Sequence, residues 1–396
     1  MNYFLLLSDR ARLVTKAVGF YWAVGLLGLI GLIGFAPVAN AQIVLDFSDD
    51  VANQNFFDDN PVARAALEAA VADINSAVVF NLSAVEDVTN GSAGTTSFDF
   101  DFTYNYSSPA TGGQQTIQDT STPVNEYRVF VGARPLDEAT LGLGGTGGAG
   151  FDAVGTIGSG SIEDAIADAQ ASDTHRRGEG PSVITLNGAF DVGTPGNPDL
   201  VPFSFEIGLN VGSLVFNDTS NWHFDHTVPV TAGASDFYSV ALHELLHTLG
   251  VGTSASWNSL ISGSTWLGAE VIASNGTGTG IVAADGDHFI ENTMSPRITD
   301  GVLQEVVIDP DLTVGTRREL TQLDLAVLRD LGFQTNDFDP ILLGDVNLDG
   351  TVDFLDIPLF ISVVFAGGTQ AEADINQDGV VDFLDIPPFI GVITGQ

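Results

Sequence analysis

Two stretches of twelve residues near the C-terminus repeat one another 29 positions apart. The first reads Asp345-Val346-Asn347-Leu348-Asp349-Gly350-Thr351-Val352-Asp353-Phe354-Leu355-Asp356. The second, Asp374 to Asp385, keeps the same side-chain oxygens at positions 1, 3, 5, 9 and 12 and the same glycine at 6. Ca2+ requires six to eight oxygens, and the glycine makes the sharp turn that brings them around one ion. One loop therefore offers Asp345, Asn347, Asp349, Asp353 and Asp356, with the backbone carbonyl of Thr351 at position 7. The other offers Asp374, Asn376, Asp378, Asp382 and Asp385, with the carbonyl of Val380. A domain of about fifty residues has a small core, so two calcium ions are expected to supply much of its folding energy.

The loops follow the EF-hand pattern, with aspartate at position 12 where a bidentate glutamate is usual. Pro340 and Gly344 crowd the approach to Asp345, so a helix is expected after each loop and none before the first. Loop-then-helix in duplicate resembles a dockerin module over about residues 344–394. The resemblance implies a small all-α domain at 344–396, reached through a linker at 336–343, and a cohesin-like protein as partner. Phe354-Leu355 and Phe383-Leu384 stand where small polar residues are often seen in dockerins.

Charge narrows the classes further. Of 396 residues, 51 are acidic and 12 basic, for a formal charge of −39. A polyanion would be repelled by such a chain, so nucleic acid is excluded as a partner. A hydrophobic content of 44% is too high for a disordered acidic chain. With no cysteine, disulfides, thiolate ligands and a cysteine nucleophile are excluded. Arg10, Arg12 and Lys16 precede an uncharged run from Ala17 to Ala36, and Ala39-Asn40-Ala41 follows as a small-residue cleavage site. Residues 1–41 therefore read as a signal peptide, with an uncleaved anchor as the rival. Its removal takes away Asp9 and the three basic residues, leaving 50 acidic residues and 9 arginines. A secreted protein, extracellular or bound at the cell surface and with no membrane contact after cleavage, is the expectation. Whether 42–60 form a propeptide is left open by the residues.

His243-Glu244-Leu245-Leu246-His247 carries the chemistry. Residues four apart share a helix face, so both imidazoles can address one ion. Glu244 lies beside them, placed to take a proton from water activated at that ion. Ser235 or Asp236 is expected to cap this helix and Gly250 to end it. A catalytic zinc wants three protein ligands and one open position. His288 is a candidate for the third ligand. Glu270, 23 residues after His247, is an alternative of thermolysin type, while His223 and His226 read as a polar loop or strand end.

Gly250 three residues after His247 matches the metzincin pattern H-E-x-x-H-x-x-G-x-x-H, although Thr253 occupies the place of the third histidine. His288 comes 41 residues after His247, followed by Met294, the one methionine beyond residue 41. This order resembles the leishmanolysin-like branch of the metzincins, in which a long insertion precedes the third histidine. The resemblance covers roughly 43–335. It implies a twisted sheet with an active-site helix, His243, His247 and His288 as zinc ligands, Glu244 as general base and Met294 beneath the metal. Ser295, Pro296 and Arg297 follow the methionine, so the family's tyrosine for the oxyanion does not carry over.

Coarser signals fill in a mixed α+β domain over 42–335. Asn60-Pro61 should cap and start a helix running to Asn75. Residues 97–106, Glu126–Gly132 and Pro202–Val211 read as strands. The glycine-dominated stretch from Leu141 to Ser161 reads as a flexible surface loop, with at most a faint likeness to a phosphate-cradling loop. Thr321 to Leu331 should form a helix with Thr321 and Asp324 as a capping box and Gly332 after it. The leading expectation is a secreted zinc endopeptidase acting on a protein or peptide. Its rivals are an inactive binding or surface protein on the same fold, and a hydrolase with a nonpeptide substrate.

Overall fold

The computed structural model describes residues 42–53, 55–137, 139–193, 198–336, 343–347, 351–366, 370–376 and 380–394. The signal segment, most of the linker, and the expected calcium ligands Asp349 and Asp378 lie outside these residues.

The site-bearing sheet has four strands: β1 (Gln42–Asp46), β2 (Glu126–Arg134), β3 (Gly142–Thr146) and β4 (Val211–Asn217). Their order is β1-β2-β4-β3. The first three are parallel in register, and β3 runs antiparallel to β4 at the edge. Tyr127, Val129, Val131 and Ala133 of β2 and Leu214 and Phe216 of β4 face one side and are buried. Helix α1 (Pro61–Ala77) covers that face with Ala63, Ala66, Leu67, Ala70 and Ile74, spaced three and four apart. Pro61 starts α1 as expected. Asn60 does not cap it by side chain, because its amide donates backward to the Phe56 carbonyl. Helix α2 (Phe237–Thr248) lies beside α1 in the same core, and α3 (Gln322–Asp330) closes it. Gln42–Asp46, left undecided by the sequence, is an edge strand of this sheet.

The opposite face of the sheet meets a second, phenylalanine-rich layer. The long strand Thr96–Ser107 buries Phe98, Phe100, Phe102 and Tyr104 on one face, as its alternation predicts. These rings pack against Phe203 and Phe205 of a hairpin, with the Phe100–Phe205 centroids 4.7 Å apart. The strand expected over Pro202–Val211 is divided. Leu200–Ile207 belongs to that hairpin and β4 begins anew at Val211. The chain turns between them because Gly208 donates to the His175 carbonyl and Asn210 donates to Gly208.

The glycine stretch is also not a loop. It forms β3 and the strand Gly148–Thr156. The glycines stand where other elements press on the backbone: a Cβ on Gly144 would lie 2.1 Å from the Glu244 carbonyl oxygen, and one on Gly155 2.4 Å from the Phe98 ring. Close approach outweighs the poor strand propensity of glycine.

At the C-terminal end, α4 (Ile357–Ala366) follows the first acidic loop and α5 (Ile386–Thr394) the second. Phe360 and Phe389, equivalent in the repeat, stack with centroids 3.8 Å apart and planes 19° apart. Val346, Val364, Ile375 and Val381 complete this small core. The repeat read from the sequence thus brings its equivalent rings together in the packing.

Candidate metal centre

Helix α2 brings the first two histidines together. Asp236 caps it by accepting the Ser239 amide, and Arg317 holds the Asp236 carboxylate at 2.7 Å. Tyr127 of β2 donates to the Thr248 carbonyl at 2.5 Å, tying the helix end to the sheet. Gly250 then turns the chain at φ +96°. Gly252, at φ +73°, permits a second close approach: a Cβ there would lie 2.5 Å from the Asp287 carbonyl. The segment bearing His288 therefore packs directly against the turn after α2. Phe289 anchors it, buried between Trp257 and Trp266.

The three rings meet at one point. Nε2 of His247 lies 3.1 Å from that of His243 and 3.2 Å from that of His288, and the third edge is 3.3 Å. Each Nδ1 faces an acceptor: the Val307 carbonyl at 2.7 Å from His243, the Val251 carbonyl at 2.9 Å from His247, and the Asp285 carboxylate at 2.9 Å from His288. An acceptor oxygen requires the proton on Nδ1, so in the neutral ring each Nε2 presents its lone pair to the other two. Burial holds His247 down to about 4 and His243 well below the usual imidazole value, which keeps both neutral. Three converging lone pairs repel unless a cation lies among them. Zn–N bonds of about 2.0–2.1 Å in a tetrahedron give N···N edges of about 3.3–3.4 Å, so the donor set and spacing fit zinc. Among the described residues this is the one cluster of histidine and carboxylate groups close enough to share an ion.

Glu244 is buried on the same helix, its carboxylate accepting the Gly144 amide of β3. Burial raises its pKa to about 8. A cavity of about 570 Å³ opens over the three histidines and Glu244, walled by β3 on one side and by Val307, Pro310 and Leu312 on another.

The other candidates are elsewhere. Thr253 donates to the His247 carbonyl. Glu270 pairs with Arg329. His223 bonds Thr231 and the Asp225 carbonyl, and the His226 carbonyl accepts from Arg317. Met294 corrects an expectation: it is 49% exposed, in a short strand opposite Glu305, and does not line the cavity over the histidines. Strand alternation turns Ser295 inward instead, where it accepts the Leu323 amide. The partners on the far side of the rings were not found from sequence. Asp285, three residues before His288, was the visible signal. Asp324, a cap by its sequence position, also accepts the amides of Val307 and Ile308 and so fixes the carbonyl that holds His243.

In the C-terminal module the two loops bond alike. The Asp356 carboxylate accepts the amides of Asn347 and Asp353 at 3.0 and 2.9 Å, and Asp385 accepts those of Asn376 and Asp382 at 3.0 and 2.8 Å. Asp345, Asp356 and Asp385 are buried, while Asp353, Asp374 and Asp382 are half-buried. Thr351 and Val380 lie on the exposed side. All-oxygen donors with buried carboxylates fit Ca2+. Phe354, Leu355, Phe383 and Leu384 are each more than half exposed.

Residues 343–387 match the family model of the dockerin type I domain. The C-terminal part is therefore a dockerin module, a calcium-dependent docking domain of the kind that binds cohesins and is typical of extracellular or cell-surface proteins. No curated protein and no solved structure matches the chain. No helix among the described residues is long and apolar enough to cross a membrane.

Proposed function

We propose that residues 42–335 are a secreted zinc-dependent endopeptidase of the metzincin type, leishmanolysin-like, and that the dockerin module attaches it to a cohesin-like partner. The observation that carries this reading is the convergence of the His243, His247 and His288 lone pairs within 3.3 Å, each ring fixed from behind.

Zinc bound there supplies a Lewis acid that polarises the scissile carbonyl and acidifies water. Glu244, on the same helix as two of the ligands, accepts the water proton and delivers it to the leaving amine. Its place at the wall of the cavity over the histidines suits both halves of that transfer. The outer edge of β3 has no strand partner among the described residues, so an extended peptide can add to it as a strand and present its carbonyl over the histidines. Gly142 and Gly144 keep that edge close to the base: a Cβ on Gly142 would lie 2.8 Å from the Glu244 side chain.

Metal analysis and a casein or gelatin assay of the wild type against Glu244→Ala test the reading. We expect one zinc per chain in both, and turnover lowered about 10²–10⁴-fold in the variant. Equal activity, or a wild type without zinc, would leave the inactive binding protein as the better account.

A further inference from the structure

We propose that the face of the main sheet turned away from the histidines carries a second binding site, built around Arg134, for a small ligand bearing a carboxylate. A cavity of about 340 Å³ lies there between the sheet and the phenylalanine-rich layer. Its polar lining includes Arg134, Asn105, Ser107, Ser108, Gln114 and Ser213, and no carboxylate lines it.

Arg134 is singular in this chain. Seven of the nine arginines after residue 41 have a carboxylate partner, from Arg64 with Asp58 and Glu68 to Arg329 with Glu270. Arg177 is spent on the carbonyls of Ser83, Pro123, Glu126 and Leu209. Among the described residues, Nε of Arg134 is buried with no hydrogen-bond partner. Where acids outnumber bases fifty to nine, a guanidinium left unpaired at a cavity wall is a free receptor for an anion. Its planar fork matches a carboxylate in two parallel hydrogen bonds. The turn at Gly112, φ +73°, lies against the guanidinium, since a Cβ there would be 3.3 Å from Nη2, and so fixes its plane. Hydroxyl and amide groups around it suit a ligand with further hydrogen-bonding groups. Two sources share this chemistry: the C-terminal residue of a peptide and a sugar acid.

Calorimetric titration of the full chain separates them, with N-acetylglycine against N-acetylglycinamide in one arm and galacturonate against galactose in the other. We expect at least one acid to bind saturably, its neutral counterpart to bind at least tenfold more weakly, and Arg134→Gln to lose the binding. Binding that survives in Arg134→Gln and disappears in His247→Ala would place the acid at the histidine cluster and overturn the proposal. So would identical behaviour of acid and neutral probe in both arms. Should Arg134→Gln fail to fold, retention of acid binding in His247→Ala supports the site and its loss overturns it. Which arm responds names the source of the carboxylate.

Discussion

Nδ1 of His243 lies 2.7 Å from the carbonyl oxygen of Val307, 64 residues further along the chain. That carbonyl is not free to drift, because the Ile308 amide of the same peptide unit, like the Val307 amide before it, is held by the buried carboxylate of Asp324. A helix-capping residue thus orients the imidazole through one peptide unit. Such partners behind the ring fix its tautomer and raise its strength as a ligand.

Asp324→Ala is therefore expected to weaken zinc binding about 10–100-fold. It also strands the amides of Val307, Ile308 and Thr321, at about 1–3 kcal/mol for each that stays buried and unpaired. Competition with a chromophoric chelator reads the first effect and urea unfolding the second. Unchanged zinc affinity in a folded variant would dismiss the orienting role.

A matched pair of glycine substitutions tests how the third histidine reaches the helix. Gly252 and Gly263 both have positive φ, so alanine costs about 1–2 kcal/mol of backbone strain at either. Only at Gly252 would the new Cβ strike the Asp287 carbonyl, at 2.5 Å, whereas Gly263 faces open space. Both variants should melt lower. Gly252→Ala alone should lose zinc affinity, because it pushes on the segment holding His288 and on the His247 ring, whose Nδ1 would lie 3.0 Å from the new Cβ. Equal zinc titrations for the two would show that the close packing does not position the ring.

How much of this was legible beforehand follows from the range of the forces involved. The α2 helix, its Asp236 cap and its Gly250 stop are local, and local chemistry is written in adjacent residues. The repeated loops were readable for the same reason, and their family match agrees. The strands in the glycine stretch were missed because their logic is tertiary: Gly144 is there for the carbonyl of Glu244, a hundred residues away. The bend at Gly208 likewise answers to His175. Met294 follows His288 in the chain without lying under it in space, because strand alternation turns its side chain outward.

That correction is itself testable. Met294→Leu, at a half-exposed position opposite Glu305, should leave zinc content and the melting temperature essentially unchanged, within about 0.5 kcal/mol. His288→Ala should abolish stoichiometric zinc, and His223→Ala, whose ring serves Thr231 and Asp225, should not. Loss of zinc in Met294→Leu would restore the methionine to the site.

The two metals should also be separable. Asp356 gives both carboxylate oxygens to its own loop, and the repeat-related rings of Phe360 and Phe389 stack in a core too small to stand without further support. Asp356→Ala removes the position-12 ligand and strands two amides at once. It should abolish calcium binding in the first loop and open residues 344–396 to limited proteolysis. The zinc content of the same preparation should stay at the wild-type level, since none of the three histidines or their partners belongs to that segment. Loss of both metals together would mean that the histidine cluster depends on the docking module, and the two parts would then have to be treated as one folding unit.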